Sequence, residues 1–269
     1  MSAPMGEIWF VGAGPGAEDL ITVRGRELLL RAGAILYAGS LVSAAHLRHA
    51  PPNCLIADSS GMTLEEMVQW LLEQARRTST VVRLQTGDPS LFGALPEMAR
   101  PLRQAGVTLH AVPGVPSFAA SAAVALESLT LPEVTQTVIL TRVAGRTPMP
   151  DGERLRELAR HGATLCIHLS ITLWPTIQAE LAAAGWPEES PVLVVHKATW
   201  PGEQRILRGT LATIARQCEE ARIQSQSMII IGPTLHSHPE APSPRSQLYH
   251  PDFGHGCRAP FEPGETEHA

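Results

Sequence analysis

A chain of 269 residues that is 44% hydrophobic and 17% charged can bury one large core or two modest ones, and its net charge of −5 gives no global field for nucleic acid. No apolar run approaches the roughly 18 residues of a membrane span, and the opening MSAPMGE lacks the basic start and apolar stretch of a secretion signal, so a cytoplasmic protein with no membrane partner is expected. Cys54, Cys166, Cys218 and Cys257 lie far apart without a C-x-x-C pair, which argues against a disulfide framework or a structural metal. The basic residues are twenty arginines and the single Lys197, a bias that a GC-rich genome produces as readily as any ligand does.

In chain order, EIWFVG (7–12), GAILYA (33–38), STVVRLQTG (79–87) and VTLHAVPG (107–114) read as short buried strands bounded by Gly and Pro. Between them ITVRGRELLLRAG (21–33), TLEEMVQWLLEQARR (63–77) and GALPEMARPLRQAG (93–106) carry apolar residues at helical spacing. Thr63 with Glu66 has capping-box spacing, and Asp19 and Thr22 are candidate caps of the first helix. Such alternation implies a mainly parallel sheet with helices on both faces and ligands at the carboxyl ends of its strands.

A second series follows ESLTLPEV (127–134). TVILTR (137–142), ATLCIHLS (163–170), PVLVVHKAT (191–199) and SMIIIGPTL (227–235) read as strands; DGERLRELARHG (151–162), LWPTIQAELAAAGW (173–186) and GTLATIARQCEEA (209–221) read as helices. The expectation is an N-terminal α/β domain over 1–130, a C-terminal α/β domain over 131–236 with a cleft between the two, and an irregular Pro/His-rich tail over 237–269. The tail histidines 236, 238, 250, 255 and 268 are scattered, so no metal site is expected of them.

The first strand ends in the turn GAGPG (12–16). A P-loop would need G-x-x-x-x-G-K-[ST], and no lysine precedes position 197. A dinucleotide fingerprint would place an acidic residue at the end of the second strand, where this chain reads LYAGSLV, and Pro15 removes an amide that a phosphate would use. Those points argue against a nicotinamide-dependent dehydrogenase. The turn is built for close backbone approach, either as a bare strand-to-helix turn or beside a ligand that is not an anion.

Two further loops follow strands: QTGDPSLFG (85–93) and VPGVPSFAASAA (112–123), the latter leading into a helix of small residues. Asp88 reads either as a ligand-facing acceptor or as a turn aspartate before Pro89. The succession VGAGPG, DLITVRG, YAGSLV, GDPSLFG, PGVPSF and LTR resembles the tetrapyrrole methylases over roughly residues 5 to 235. Within that family YAGSLV and LTRVAGRTPMPDGERLRELARHGATLCIHLS (140–170) resemble the branch that methylates C-11 of precorrin-4 on the way to cobalamin.

The resemblance implies two α/β domains, folded unlike the Rossmann methyltransferases, with S-adenosylmethionine (SAM) in the cleft between them. It implies a tetrapyrrole substrate, precorrin-4 or its cobalt form, and a homodimer. By the same resemblance Asp88, Leu91, Pro116, Ser117, Leu169 and Ala198 match cofactor-contacting positions, and Gly12, Gly14 and Gly16 become a wall of the substrate trough. Pro116 stands where the family often has a hydroxyl residue, so backbone groups would supply that contact.

Methyl transfer from a sulfonium to an enamine-like ring carbon is governed by orientation and needs no Ser/His/Asp constellation; none is present. The substrate's acetate and propionate groups do need cations, for which Arg142, Arg146 and Lys197, with Arg205 and Arg24 behind them, are candidates; each has an equally plain reading as a solvated residue or a structural ion pair. His168, on an apolar strand, reads as a satisfied core histidine.

Overall fold

A computed structural model of the chain describes residues 5–235, with 246, 253–254 and 256–258. The tail expected over 237–269 thus falls almost wholly outside the described residues, as do the five tail histidines.

The first sheet contains β1 (Glu7–Gly12), β2 (Ala34–Tyr37), β3 (Leu55–Asp58), β4 (Thr80–Gln85) and β5 (Leu109–Val112), in the order β3-β2-β4-β1-β5 with every pair parallel. Period-two alternation sorts each strand between two layers. Ile8 and Phe10 of β1 face a core shared with α2 (Leu64–Ala75) and α3 (Leu95–Gln104), whereas Trp9 and Val11 face one shared with α1 (Val23–Arg31). The Thr63 and Glu66 capping box forms in both directions, and Thr22 caps α1 by accepting from the Gly25 amide at 3.1 Å. Asp19 does not cap: it lies in a separate 3-10 turn, Glu18–Leu20.

The second sheet contains β6 (Val138–Arg142), β7 (Thr164–His168), β8 (Pro191–His196), β9 (Arg205–Thr210) and β10 (Ser227–Ile231), in the order β6-β7-β10-β8-β9. Here only β6 and β7 are parallel; β10 runs antiparallel to both β7 and β8, and β9 is antiparallel to β8. The helices α5 (Leu155–Ala159), α6 (Trp174–Ala183) and α7 (Ile214–Glu220) share one core with Leu165, Ile167, Val192, Val194, Ile229 and Ile231.

The opposite face of this sheet is covered from the other half of the chain. Helix α4 (Ser117–Val124), which follows β5, contributes Phe118, Ala120 and Ala122 to a core with Cys166, Leu193, Val195, Met228 and Ile230. Its small residues let the helix lie close against the sheet. Burial raises the Cys166 thiol to about 12, so this cysteine acts as an apolar core residue. Among the described helices none is long and apolar enough to cross a membrane.

Candidate active site

The loops that follow β1 and β4 are tied together by their backbones, and an aspartate side chain ties in the loop that follows β5. Gly14 and Gly87 exchange amide–carbonyl hydrogen bonds (2.8 and 3.3 Å), and the Ala13 amide donates to the Gln85 carbonyl at 2.7 Å. Asp88 closes the third side: one carboxylate oxygen accepts from the Gly114 amide at 2.9 Å, the other from the amide (2.8 Å) and hydroxyl of Ser90. Burial opposes ionisation of Asp88, but the Ser90 hydroxyl and the Gly114 and Ser90 amides outweigh it and hold the carboxyl below its ordinary range. The turn-forming reading of this aspartate is therefore satisfied by the protein itself.

The glycines of GAGPG are packed against other parts of the chain. A Cβ on Gly12 would stand 2.5 Å from the Gly87 carbonyl oxygen and 2.7 Å from Gly114 Cα, Gly14 has φ +80°, and a Cβ on Gly16 would fall 2.1 Å from Trp200 Cδ1. The space those side chains would need is taken by protein, and none of the three faces the cavity described below; Pro15 between them does. The turn is a joint between the two halves. Trp200 Nε1 donates to the Pro15 carbonyl at 3.2 Å, and the Ala17 amide donates to Thr199 Oγ1 at 3.1 Å.

Between the loops of the first sheet and those of the second lies a cavity of ≈ 520 Å³, within the size range of small-ligand sites. It brings together Asp88, Leu91, Pro116, Ser117, Leu169, Ala198 and Lys197 from sequence segments more than a hundred residues apart. Arg142 and Arg146 are not in its wall. The Arg142 guanidinium turns back onto its own loop, donating to the Thr147 carbonyl at 3.2 Å and to that of Pro148, and Arg146 is exposed. Arg24 is exposed as well, and Arg205 donates to the Ala221 carbonyl at 2.9 Å. Lys197 pairs with Glu203 and lies 4.9 Å from the centroid of the Trp200 ring, so its charge is already balanced.

Several wall residues occupy the left-handed region without being glycine: Phe92 (φ 52°), Leu169 (56°), Lys197 (46°) and Gln226 (47°). Such conformations cost about 1 kcal/mol or more each and gather where a site dictates the backbone. The wall also holds two buried polar atoms without a hydrogen-bond partner, Ser121 Oγ and His168 Nε2. His168 is thus buried but not satisfied, unlike the core histidine expected from the strand pattern.

The profile of the family "Tetrapyrrole (Corrin/Porphyrin) Methylases" matches residues 7–215, which includes every loop that builds this cavity except the strand-entry segment before β10. The chain belongs to the tetrapyrrole methylases. A precorrin-4 C(11)-methyltransferase of Mycobacterium tuberculosis is 47% identical over 229 residues, which is 85% of this chain and 91% of the relative. The X-ray structure of a cobalamin biosynthetic enzyme, cobalt-precorrin-4 methyltransferase, superposes with a TM-score of 0.81 at 45% identity, covering 84% of this chain and 94% of that one. A uroporphyrin-III C-methyltransferase of Thermus thermophilus, complexed with S-adenosylhomocysteine, has a TM-score of 0.68 at 27% identity and covers 84% of this chain and 92% of its own.

Sequence reasoning missed the parts of this tetrapyrrole methylase cavity that come from unremarkable residues. Ser40 and Gln226 meet through a hydrogen bond from Gln226 Nε2 to the Ser40 carbonyl, across 186 residues of sequence. Ser40 lies in the YAGSLV stretch, but nothing near Gln226 signals that pairing. Phe92, by contrast, sits inside GDPSLFG and Trp200 directly follows PVLVVHKAT, and their bulk in short loops was the available signal.

Proposed function

We propose that the chain is a SAM-dependent methyltransferase that places a methyl group on C-11 of precorrin-4, giving precorrin-5 in cobalamin biosynthesis. The observation that carries this reading is the ≈ 520 Å³ cavity built by the family's own loops at the meeting of the two sheets. A cofactor fits it on structural grounds: two buried wall atoms, Ser121 Oγ and His168 Nε2, lack partners, and four wall residues hold the left-handed backbone conformation that gathers at ligand sites. When bound, SAM supplies an electrophilic methyl group whose bond to sulfur breaks as the bond to the ring carbon forms, the electron pair of the broken bond staying on sulfur.

Asp88, Leu91, Pro116, Ser117, Leu169 and Ala198 hold the cofactor. Because both Asp88 oxygens are engaged by loop donors, this residue acts mainly by keeping the GDPSLFG and VPG loops in register, and the direct contacts come from backbone groups. The domains on either side of residue 130 act as the two walls, and the Trp200 and Thr199 contacts to the glycine turn fix the angle between them. Fixing that angle is the enzyme's main contribution, since orienting the reacting atoms at about 3–3.5 Å is worth effective molarities of ~10⁵ M or more. Gly12, Gly14 and Gly16 serve the substrate indirectly, through that joint. Lys197 faces the cavity and can meet a substrate carboxylate by exchanging its Glu203 partner, while Arg142 and Arg146 reach substrate only if their loop turns inward.

Relatives named for the cobalt-containing and the metal-free substrate stand at nearly the same identity, 45% and 47%. The metal-free ring is taken as the substrate and the cobalt form as the competing one. The working assembly is a homodimer in the cytoplasm, with SAM as the sole cofactor. The decisive experiment supplies SAM with metal-free and with cobalt precorrin-4 and follows the product by mass spectrometry. Gain of one methyl group on the metal-free ring supports the reading; gain only on the cobalt ring reassigns the substrate, and gain on neither overturns the activity. In calorimetry SAM should bind in roughly the micromolar range, about −8 kcal/mol, and NAD should not bind.

A further inference from the structure

One flank of the cavity is aromatic in a chain where Phe, Trp and Tyr make up only 4% of residues. The His168 ring lies with its centroid 4.9 Å from that of Phe92 and 6.5 Å from that of Phe118, which meets it edge-on. Phe92 and His168 both line the cavity. Phe92 is 51% exposed and sits at φ 52°, so its ring is presented to open space by a backbone that costs energy and buries little within the chain.

We propose that Phe92 and His168 form the wall against which the cofactor's sulfonium rests, with His168 serving there as an uncharged ring. The inference rests on the cofactor reading above. An imidazolium has two N–H donors that need acceptors, and Nε2 of His168 is buried with none in reach. Burial among these neighbours holds the imidazole down to about 4, so the ring is neutral wherever the enzyme works. The other titratable groups of the wall do not reverse this: Asp88 is held by loop donors and Lys197 is paired with Glu203.

Aromatic faces attract a cation through the ring quadrupole, and a neutral sulfide keeps only the weaker contact of a polarisable sulfur. SAM carries its positive charge at sulfur, and S-adenosylhomocysteine, the product of methyl transfer, does not. The wall therefore favours reactant over product and helps the spent cofactor leave, without placing an anion beside a sulfur that must lose its charge during the reaction. A protonated His168 would do the opposite by repelling the sulfonium.

The test is the ratio of SAM to S-adenosylhomocysteine affinity, measured by calorimetry on the wild-type chain and three variants. His168→Arg should lower the affinity for SAM by about tenfold or more relative to that for the product, because a guanidinium stays charged even when buried and faces the sulfonium. His168→Phe, which keeps a neutral ring, should leave the ratio within about twofold of wild type, and Phe92→Leu should shift it about threefold against SAM. Equal weakening of both ligands in His168→Arg, or an unchanged ratio in Phe92→Leu, would overturn the inference. If the arginine variant does not fold, the exposed Phe92 position decides alone. Failure of the wild-type chain to bind either ligand would instead overturn the cofactor assignment, a separate result.

Discussion

The two sheets bring loops to the same cavity by different means. On the first, the loops after β1 and β4 are joined by backbone hydrogen bonds through Gly14 and Gly87 and the Asp88 carboxylate ties in the loop after β5, with Gly12 and Gly114 packed where no side chain fits. On the second, the loops after β7 and β8 and before β10 contain Leu169, Lys197, Thr199 and Gln226 at positive φ, all with full side chains. A parallel sheet delivers every strand's carboxyl end to one edge, so its loops crowd and need glycine. A mixed sheet delivers alternating ends, leaving its loops room for side chains but demanding tight reversals. Around Gly12 and Gly114 the first set is intolerant of added atoms, with strain confined to Phe92 and Ala94 after β4; the second stores strain in each of its loops that can be relieved.

That contrast can be broken most sharply at Gly12. Gly12→Ala would push a Cβ against backbone of two other loops, not against a flexible side chain, and should cost about 3 kcal/mol of unfolding free energy in a denaturant titration. A loss below ~0.5 kcal/mol would mean the glycine joint is loose.

Asp88→Ala removes the acceptor that holds two of these loops and should cost about 1–2 kcal/mol, the low part of the range for charge-assisted bonds because solvent screens this partly exposed carboxylate. Its carboxyl is held below the ordinary value in the folded chain. Its stabilisation is therefore complete above the unfolded value near 3.9 and is lost as pH falls through the lower folded value. The difference between wild type and variant should be constant near neutrality and shrink only in strong acid. Comparing melts with SAM titrations on one preparation separates the roles: a depressed melt with unchanged affinity marks Asp88 as a loop clamp, and a large affinity loss with an unchanged melt marks it as a direct ligand.

The smallest effect is expected on the strained side. Leu169 is 69% exposed at φ 56°, so Leu169→Gly gives up little burial and should raise stability by up to about 1 kcal/mol, a melting increase of roughly 2–4 °C. A fall in melting temperature would show that the leucine side chain, not the site, holds this backbone in place.

Much of this was legible in sequence because it is local. The buried strands of both sheets carry unbroken apolar runs, the Thr63 and Glu66 box needs only four residues, and the order of the glycine and proline loops along the chain carries the family resemblance. The unread strands are edges. β3 is largely exposed and β9 is RILRGT, so neither has an apolar run to betray it. The reversed direction of β9 and β10 was hidden for a different reason: alternation of strands and helices records which segments are buried, not which way they point.

The sequence by itself determined the helices, the buried strands, their α/β class and the loops that would carry chemistry, because hydrophobic period and turn chemistry act between neighbours. Only the tertiary structure decided what the site residues touch. It spent the carboxylate of Asp88 on Ser90 and Gly114, filled the space left by Gly16 with Trp200, folded Arg142 onto its own loop, and set His168 without a partner beside Phe92. Each of those outcomes depends on where a second, distant segment lands, and that position follows from packing α4 across the face of the other sheet, a long-range arrangement no local pattern encodes.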